Sequence, residues 1–158
     1  MIEFETIFIQ GKSMIEVTSF HVSLEPVAAP RPRSSFFGGR SRSYMPKKYM
    51  DWKKEFVRRI IAQGVEEPID SAVYIRIEFI FQRPKRLMRR KDPREKIYKA
   101  SSPDIDNLCK SVLDALQDAL VIKNDSCVVG LSAMKYYGAL TDDKKSEHPH
   151  MIIDIYKL

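Results

Sequence analysis

Pro103-Asp104-Ile105-Asp106-Asn107-Leu108-Cys109-Lys110 runs directly into Ser111-Val112-Leu113-Asp114-Ala115-Leu116-Gln117-Asp118-Ala119-Leu120. In the second stretch, with Cys109 ahead of it, Val112, Leu113, Leu116 and Leu120 recur at helical spacing, which predicts an amphipathic helix from about Asn107 to Leu120. The first stretch sets two acids, an amide and a lysine at the start of that helix, and Asn124-Asp125 follows just past its end. Two helical residues apart, Asp104 and Asp106 would be rotated by about 200°, whereas in extended chain residues i and i+2 point the same way. The arrangement that brings both carboxylates together therefore has Asp104 extended and Asp106 at the helix N-cap, a position aspartate favours. Pro103 supports an extended entry because it disfavours helix at Ser102. Lys110 then lies one turn inside, on the side of Asp106. Clustered carboxylates beside a lysine are what a divalent cation and a phosphate both require. The same residues also read as an ordinary acid-rich helix start favoured by the macrodipole, and Asn-Asp as a common turn pair.

Working outward, residues 71–82 alternate strictly, with Val73, Ile75, Ile77, Phe79 and Phe81 on one face, and predict a strand. Residues 2–9 and 15–24 alternate in the same way around Gly11-Lys12-Ser13, consistent with a hairpin or with an N-terminal extension over residues 1–14. Two further strands are predicted at 126–137 and 150–157, with a polar turn at 141–149 between them. Pro46 opens a helix to about Gln63, burying Tyr49, Trp52, Phe56 and Ile60 with Val57 and Ile61, and Gly64 stops it. Residues 25–45, with three prolines, Gly38-Gly39 and many serines and arginines, have loop composition, and 83–100 reads as a mobile basic loop. The expected architecture is one α/β (α+β) domain across residues 1–158: a mixed sheet of about four strands with two main helices packed on it.

The net charge of +6 is unevenly spread. Arg31, Arg33, Arg40, Arg42, Lys47 and Lys48 form a stretch without acids, and residues 83–99 hold nine basic residues, among them Arg83, Lys85, Arg86, Arg89, Arg90 and Lys91, against two acids. Together these segments carry +13, leaving −7 on the remainder of the chain. Positive charge so concentrated suits a polyanion, although two solvated loops would look the same. Phe36 and Phe37 lie between arginines and glycines, placed either to stack at a branched nucleic acid or to tuck against the protein. Cys109 and Cys127 lack metal-ligand spacing and read as small reduced core residues. His21, His148 and His150 are too few and too scattered for a zinc site, and His148-Pro149-His150 reads as a solvated loop. Glu3 and Glu5 without a basic leader argue against a signal peptide. No apolar run approaches the ~18 residues of a membrane span, so a soluble, cytoplasmic protein is expected.

The run from Pro103 to Leu116, with Asn124-Asp125 eighteen residues after Asp106, resembles the RusA family of Holliday-junction resolvases. That family's signature is an Asp-x-Asp-Asn-Leu-x-Lys segment, an Asp-Ala-Leu on the same helix, here Asp114-Ala115-Leu116, and an Asp-Asp pair at that distance. The Pro30-Arg31-Pro32-Arg33 loop and the Tyr49/Trp52 helix resemble its N-terminal half. The resemblance implies that Asp104, Asp106 and Asp125 bind magnesium, with manganese as a substitute, and that Lys110 assists at the scissile phosphate. It also implies that Asn107 and Asn124 support the acids. Asn124 is a departure, standing where the family carries the first acid of its pair. The implied activity is hydrolysis of DNA phosphodiesters at four-way or branched junctions by paired symmetric nicks. A homodimer would match the two-fold junction, without an organic cofactor and in a bacterial or phage setting. Two rivals stay open: a branch-binding protein without catalysis, for which Asn124 speaks, and a small-molecule phosphohydrolase, against which the basic segments speak.

Overall fold

The computed structural model of the chain describes residues 6–9 and 11–158, so residues 2–5 of the first predicted strand lie outside the described residues. The strands are β1 (Thr6–Ile9), β2 (Lys12–Val22), β3 (Arg33–Phe37), β4 (Arg40–Tyr44), β5 (Val73–Phe81), β6 (Ile97–Tyr98), β7 (Val128–Tyr137) and β8 (His150–Lys157), with helices α1 (Lys47–Ala62) and α2 (Ile105–Asp118). Among the described residues the main sheet is six-stranded in the order β1-β2-β8-β5-β7-β6, with β3-β4 as a separate two-stranded sheet. β5 and β7 run parallel and the other pairs antiparallel, which makes the sheet mixed. The class is the expected α+β; the expected number of about four strands is exceeded by β1, by the short edge strand β6 and by the β3-β4 hairpin.

The alternation in β5 is what builds the core. Val73, Ile75, Ile77, Phe79 and Phe81 are buried, as are Met151, Ile153 and Ile155 of β8 beside them. Tyr49, Trp52, Phe56 and Ile60 of α1 and Leu108, Cys109, Val112, Ala115 and Leu116 of α2 belong to the same cluster. Each such side chain contributes roughly 1.5–3 kcal/mol by leaving water. Trp52 satisfies its indole N–H on the Glu25 carbonyl at 2.9 Å, and Lys53 of α1 pairs with Asp118 of α2 at 2.6 Å. The predicted burial of Ile61 does not hold: it is 55% exposed, one position beyond the stripe that Tyr49, Trp52, Phe56 and Ile60 complete.

Two other departures follow from turn chemistry. Residues 33–44, expected to be loop, form the β3-β4 hairpin because Gly38 and Gly39 both take positive φ, 58° and 77°. Such a pair supplies a tight turn whose twist suits two antiparallel strands. Leu120, expected in the core, is 61% exposed, because α2 ends two residues earlier. There Val121 N–H bonds to the Leu116 carbonyl and Leu120 N–H to that of Gln117, with Leu120 at φ 58°. This is the closing pattern that favours glycine. Leu120→Gly is expected to raise stability by about 1 kcal/mol, relieving a left-handed conformation at little burial cost, read as a melting temperature higher by about 2–4 °C.

Candidate active site

α2 begins two residues earlier than its sequence suggests. Asp104 is the N-cap, with extended backbone (φ −69°, ψ 142°), and Asp106 is already the second helical residue. Asp104 is as good an N-cap residue type as Asp106, and nothing in Ile105-Asp106 resists helix. The Asp104 carboxylate nevertheless makes no capping bond; the first helical bond goes from Leu108 N–H to its backbone carbonyl. Its oxygens are left for another partner.

Placing Asp106 inside the helix gives it new neighbours. Asp106, Lys110 and Asp114 succeed each other at four-residue intervals and share one helix face. Together with Asp125 they line one open hollow, whose apolar wall is Ile105, Cys109 and Leu113 of α2 with Leu131 and Ala133 of β7. Asp125 is brought there by the short 3-10 turn Asp125–Cys127, and the Gln117 side chain of α2 accepts its backbone N–H at 3.3 Å. Asp104 is not a wall of the hollow. Among the described residues none of these four carboxylates, nor the Lys110 ammonium, has an ion pair or a side-chain hydrogen bond. Asp114 is a wall that motif spacing singled out only as part of the Asp-Ala-Leu signature; its interval of eight from Asp106 was the available signal.

Asn124 has a defined task. Its side-chain oxygen accepts the Ser126 N–H at 2.9 Å and caps the 3-10 turn that carries Asp125. An aspartate would cap in the same way, so the departure from the family's pair costs the turn nothing. Asn107 acts through its backbone: its carbonyl takes the Ala29 N–H at 2.9 Å and fastens the segment leading into the hairpin to the first turn of α2. The buried Cys109 thiol beside Asp106 is pushed up to about 11 by burial and then by that acid's charge, which leaves it unreactive.

The donor set fits a hard divalent cation, since carboxylate oxygens open to water are the ligands magnesium takes while keeping part of its hydration shell. Among the described residues no three acidic, histidine or cysteine side chains stand close enough to enclose a cation. The acids therefore share the hollow without forming a closed set of ligands.

Of the predicted phosphate contacts, Arg31, Arg33, Arg40, Arg42, Lys47, Lys48, Lys85, Arg86, Arg89, Arg90 and Lys91 are exposed. Lys47 pairs with Asp51, and Arg89 with Asp92. Arg83 is a correction: it is 1% exposed and cannot face a phosphate. Its guanidinium donates to the carbonyls of Gly138 (2.8 Å), Pro93 (2.5 Å) and Glu95, and its backbone N–H to the Ser146 hydroxyl. The stretch expected to be a mobile loop is thus anchored, and it also holds a 3-10 turn at Lys85–Leu87 and strand β6. Phe36 and Phe37 are 76% and 90% exposed at the hairpin tip, so they do not tuck against the protein. His150 corrects the loop expected at 148–150: it is buried at the start of β8, its ring 4.6 Å from that of His21.

The family profile described as Endodeoxyribonuclease RusA matches residues 23–155, covering both helices, the hairpin and the acidic hollow. The chain belongs to the RusA endodeoxyribonuclease family. It is also 33% identical over 129 residues, 78% of this chain and 89% of the other, to the uncharacterized protein YqaN of Bacillus subtilis (strain 168). RusA proteins are endonucleases of branched DNA junctions and depend in general on divalent metal. Among the described residues no helix is long and apolar enough to cross a membrane.

Proposed function

We propose that this RusA-family chain is a magnesium-dependent endodeoxyribonuclease that resolves Holliday junctions and related branched DNA by paired symmetric nicks, in recombination and repair. The observation that carries this reading is the hollow itself. Asp106, Asp114, Asp125 and Lys110 line it without partners, next to the helix turn to which the segment leading into the arginine-rich hairpin is fastened. Asp106 and Asp125, with Asp104 swung in from the N-cap, would hold the cation. When bound, it supplies Lewis-acid polarisation of the phosphate and an acidified water. Lys110 places positive charge where the phosphorane oxygens become more negative. The apolar wall formed by Leu113, Leu131 and Ala133 keeps bulk water from one side of the reacting group.

Exposed arginines and lysines of the hairpin and of the 85–91 segment would grip the arms through phosphates, positioning the junction without reading sequence. The solvent-facing Phe36 and Phe37 would stack at the branch point, where unpaired bases offer flat apolar faces worth about 1–3 kcal/mol each. Phe36→Ala/Phe37→Ala is therefore expected to weaken four-way-junction binding about tenfold or more, to leave affinity for linear duplex within a factor of about two, and to leave the melting temperature unchanged. Gel-shift titrations with both DNAs and a thermal melt check this. Paired nicks on a two-fold junction call for a homodimer with one hollow per subunit, acting in the cytoplasm of a bacterial or phage-infected cell.

A branch-binding protein without catalysis would rest on Asn124. Its amide oxygen caps the turn that carries Asp125, as an aspartate's would, and lacks only the charge an aspartate would add. The discriminating experiment offers the protein a labelled four-way junction, the matching linear duplex and bis(p-nitrophenyl) phosphate, each with magnesium. Nicking confined to the junction supports the proposal. Hydrolysis of the small ester alone would make the protein a phosphohydrolase.

A further inference from the structure

Two lysines that motif spacing did not single out hold the segment carrying the acids. Lys99 follows β6, and Lys135 lies opposite it in β7, next in the antiparallel register after Tyr98 and Tyr136; the Lys99 N–H bonds to the Lys135 carbonyl at 2.9 Å. Like charges directly opposite each other on a sheet repel, and among the described residues neither ammonium has a carboxylate partner. Both turn instead onto the segment Ser101–Pro103 and share the Ser101 carbonyl. Lys99 Nζ donates to the Ser101 hydroxyl (2.7 Å), the Ser101 carbonyl (3.3 Å) and the Ser102 carbonyl. Lys135 Nζ donates to the carbonyls of Ser101 (2.8 Å) and Pro103 (2.7 Å). Lys99 is 8% exposed, its ammonium 5.0 Å from the centroid of the Phe81 ring and 5.2 Å from that of Tyr137. Ring faces offset part of its desolvation.

Three successive carbonyls are thereby turned to one side, toward two cations, in the residues immediately before Asp104. An anchor needed only for stability would be served by one donor, or by a neutral one, without the repulsion. We propose that Lys99 and Lys135 are positioning residues: they fix the course of Ser101–Pro103 and so set where Asp104 and Asp106 present their carboxylates to the cation. This rests on the metal-dependent nuclease reading above. Because both ammoniums point inward to carbonyls, they are not junction contacts.

The test uses the full chain as wild type, Lys99→Met and Lys135→Met. Each variant keeps the aliphatic stem and removes one of the two facing charges. Lys99→Met also leaves the Ser102 carbonyl without its donor and is expected to lower the melting temperature, whereas Lys135→Met, at a half-buried position, is expected to stay within a few degrees of wild type. Four-way-junction affinity and its salt dependence are expected to change less than threefold. The magnesium concentration giving half-maximal nicking is expected to rise tenfold or more, and amide hydrogen exchange across residues 101–106 to speed up tenfold or more while the middle of α2 stays protected. An unchanged magnesium midpoint with unchanged exchange would overturn the proposal. So would loss of junction affinity with a shallower salt dependence, which would make the lysines phosphate contacts. If Lys99→Met fails to fold, Lys135→Met decides alone. If wild type never nicks, the nuclease reading has failed, and exchange together with manganese titration by electron paramagnetic resonance still judges the lysines. A looser segment with weaker manganese binding supports them, and no change in either overturns them.

Discussion

Asp106→Asn is expected to lower magnesium-dependent nicking of a four-way junction by about a thousandfold, the loss of roughly 4 kcal/mol of transition-state stabilisation. Junction affinity at the same salt should change less than threefold. Asp106 is the acid for which position and company agree most closely. It lies within α2, shares its face with Lys110 and Asp114, and meets Asp125 across the hollow without an ion pair of its own. Replacing its carboxylate by an amide keeps the shape and removes the charge a hard cation seeks. Binding should persist because the phosphate contacts assigned to the arms lie elsewhere. Single-turnover cleavage and a gel shift on the same preparation separate the two quantities. Nicking within tenfold of wild type would move the cation to Asp114 and Asp125.

Arg83→Met is expected to cost about 3–5 kcal/mol of folding stability. The guanidinium satisfies the carbonyls of Gly138, Pro93 and Glu95 together, and a methionine leaves acceptors buried and unmatched. For a chain of this size that is a melting temperature lower by about 10 °C or more. Because Arg83 is buried, the salt dependence of junction binding by the folded variant should match wild type. Arg86→Ala, which removes an exposed charge of the same segment, should instead reduce the slope of log K against log salt by about 0.9 while leaving the melt unchanged. A normal melt with a shallower salt dependence in Arg83→Met would return Arg83 to the DNA-facing surface.

These two residues also mark how far the sequence was legible. Period-two alternation in Val73–Phe81 and the Tyr49, Trp52, Phe56, Ile60 stripe are responses to burial on one face, and the core follows them. Arg83 was misplaced because a charged side chain in a basic run looks the same whether it meets phosphate or backbone carbonyls; only the return of Pro93, Glu95 and Gly138 to one point distinguishes them. The hairpin at 33–44 was hidden because all its residues are exposed, so no face alternates, and the Gly38-Gly39 turn was its only signal. At the candidate site, motif spacing drew out Asp106, Lys110 and Asp125, which the fold gathers, and also Asp104, which the fold sets at the helix cap outside the hollow. The difference turns on where α2 begins, and aspartates two apart are both acceptable caps. The hold of Lys135 on Ser101 and Pro103 spans more than thirty residues and depends on strand pairing, which local pattern does not encode.

The most direct measurement incubates the wild-type chain with a strand-labelled synthetic four-way junction, in magnesium and in chelator, and maps the breaks on all four strands. If the acidic hollow cuts branched DNA, breaks are expected at symmetry-related positions on two opposing strands, present with magnesium and absent with chelator. Tight junction binding with no breaks under magnesium or manganese would contradict it.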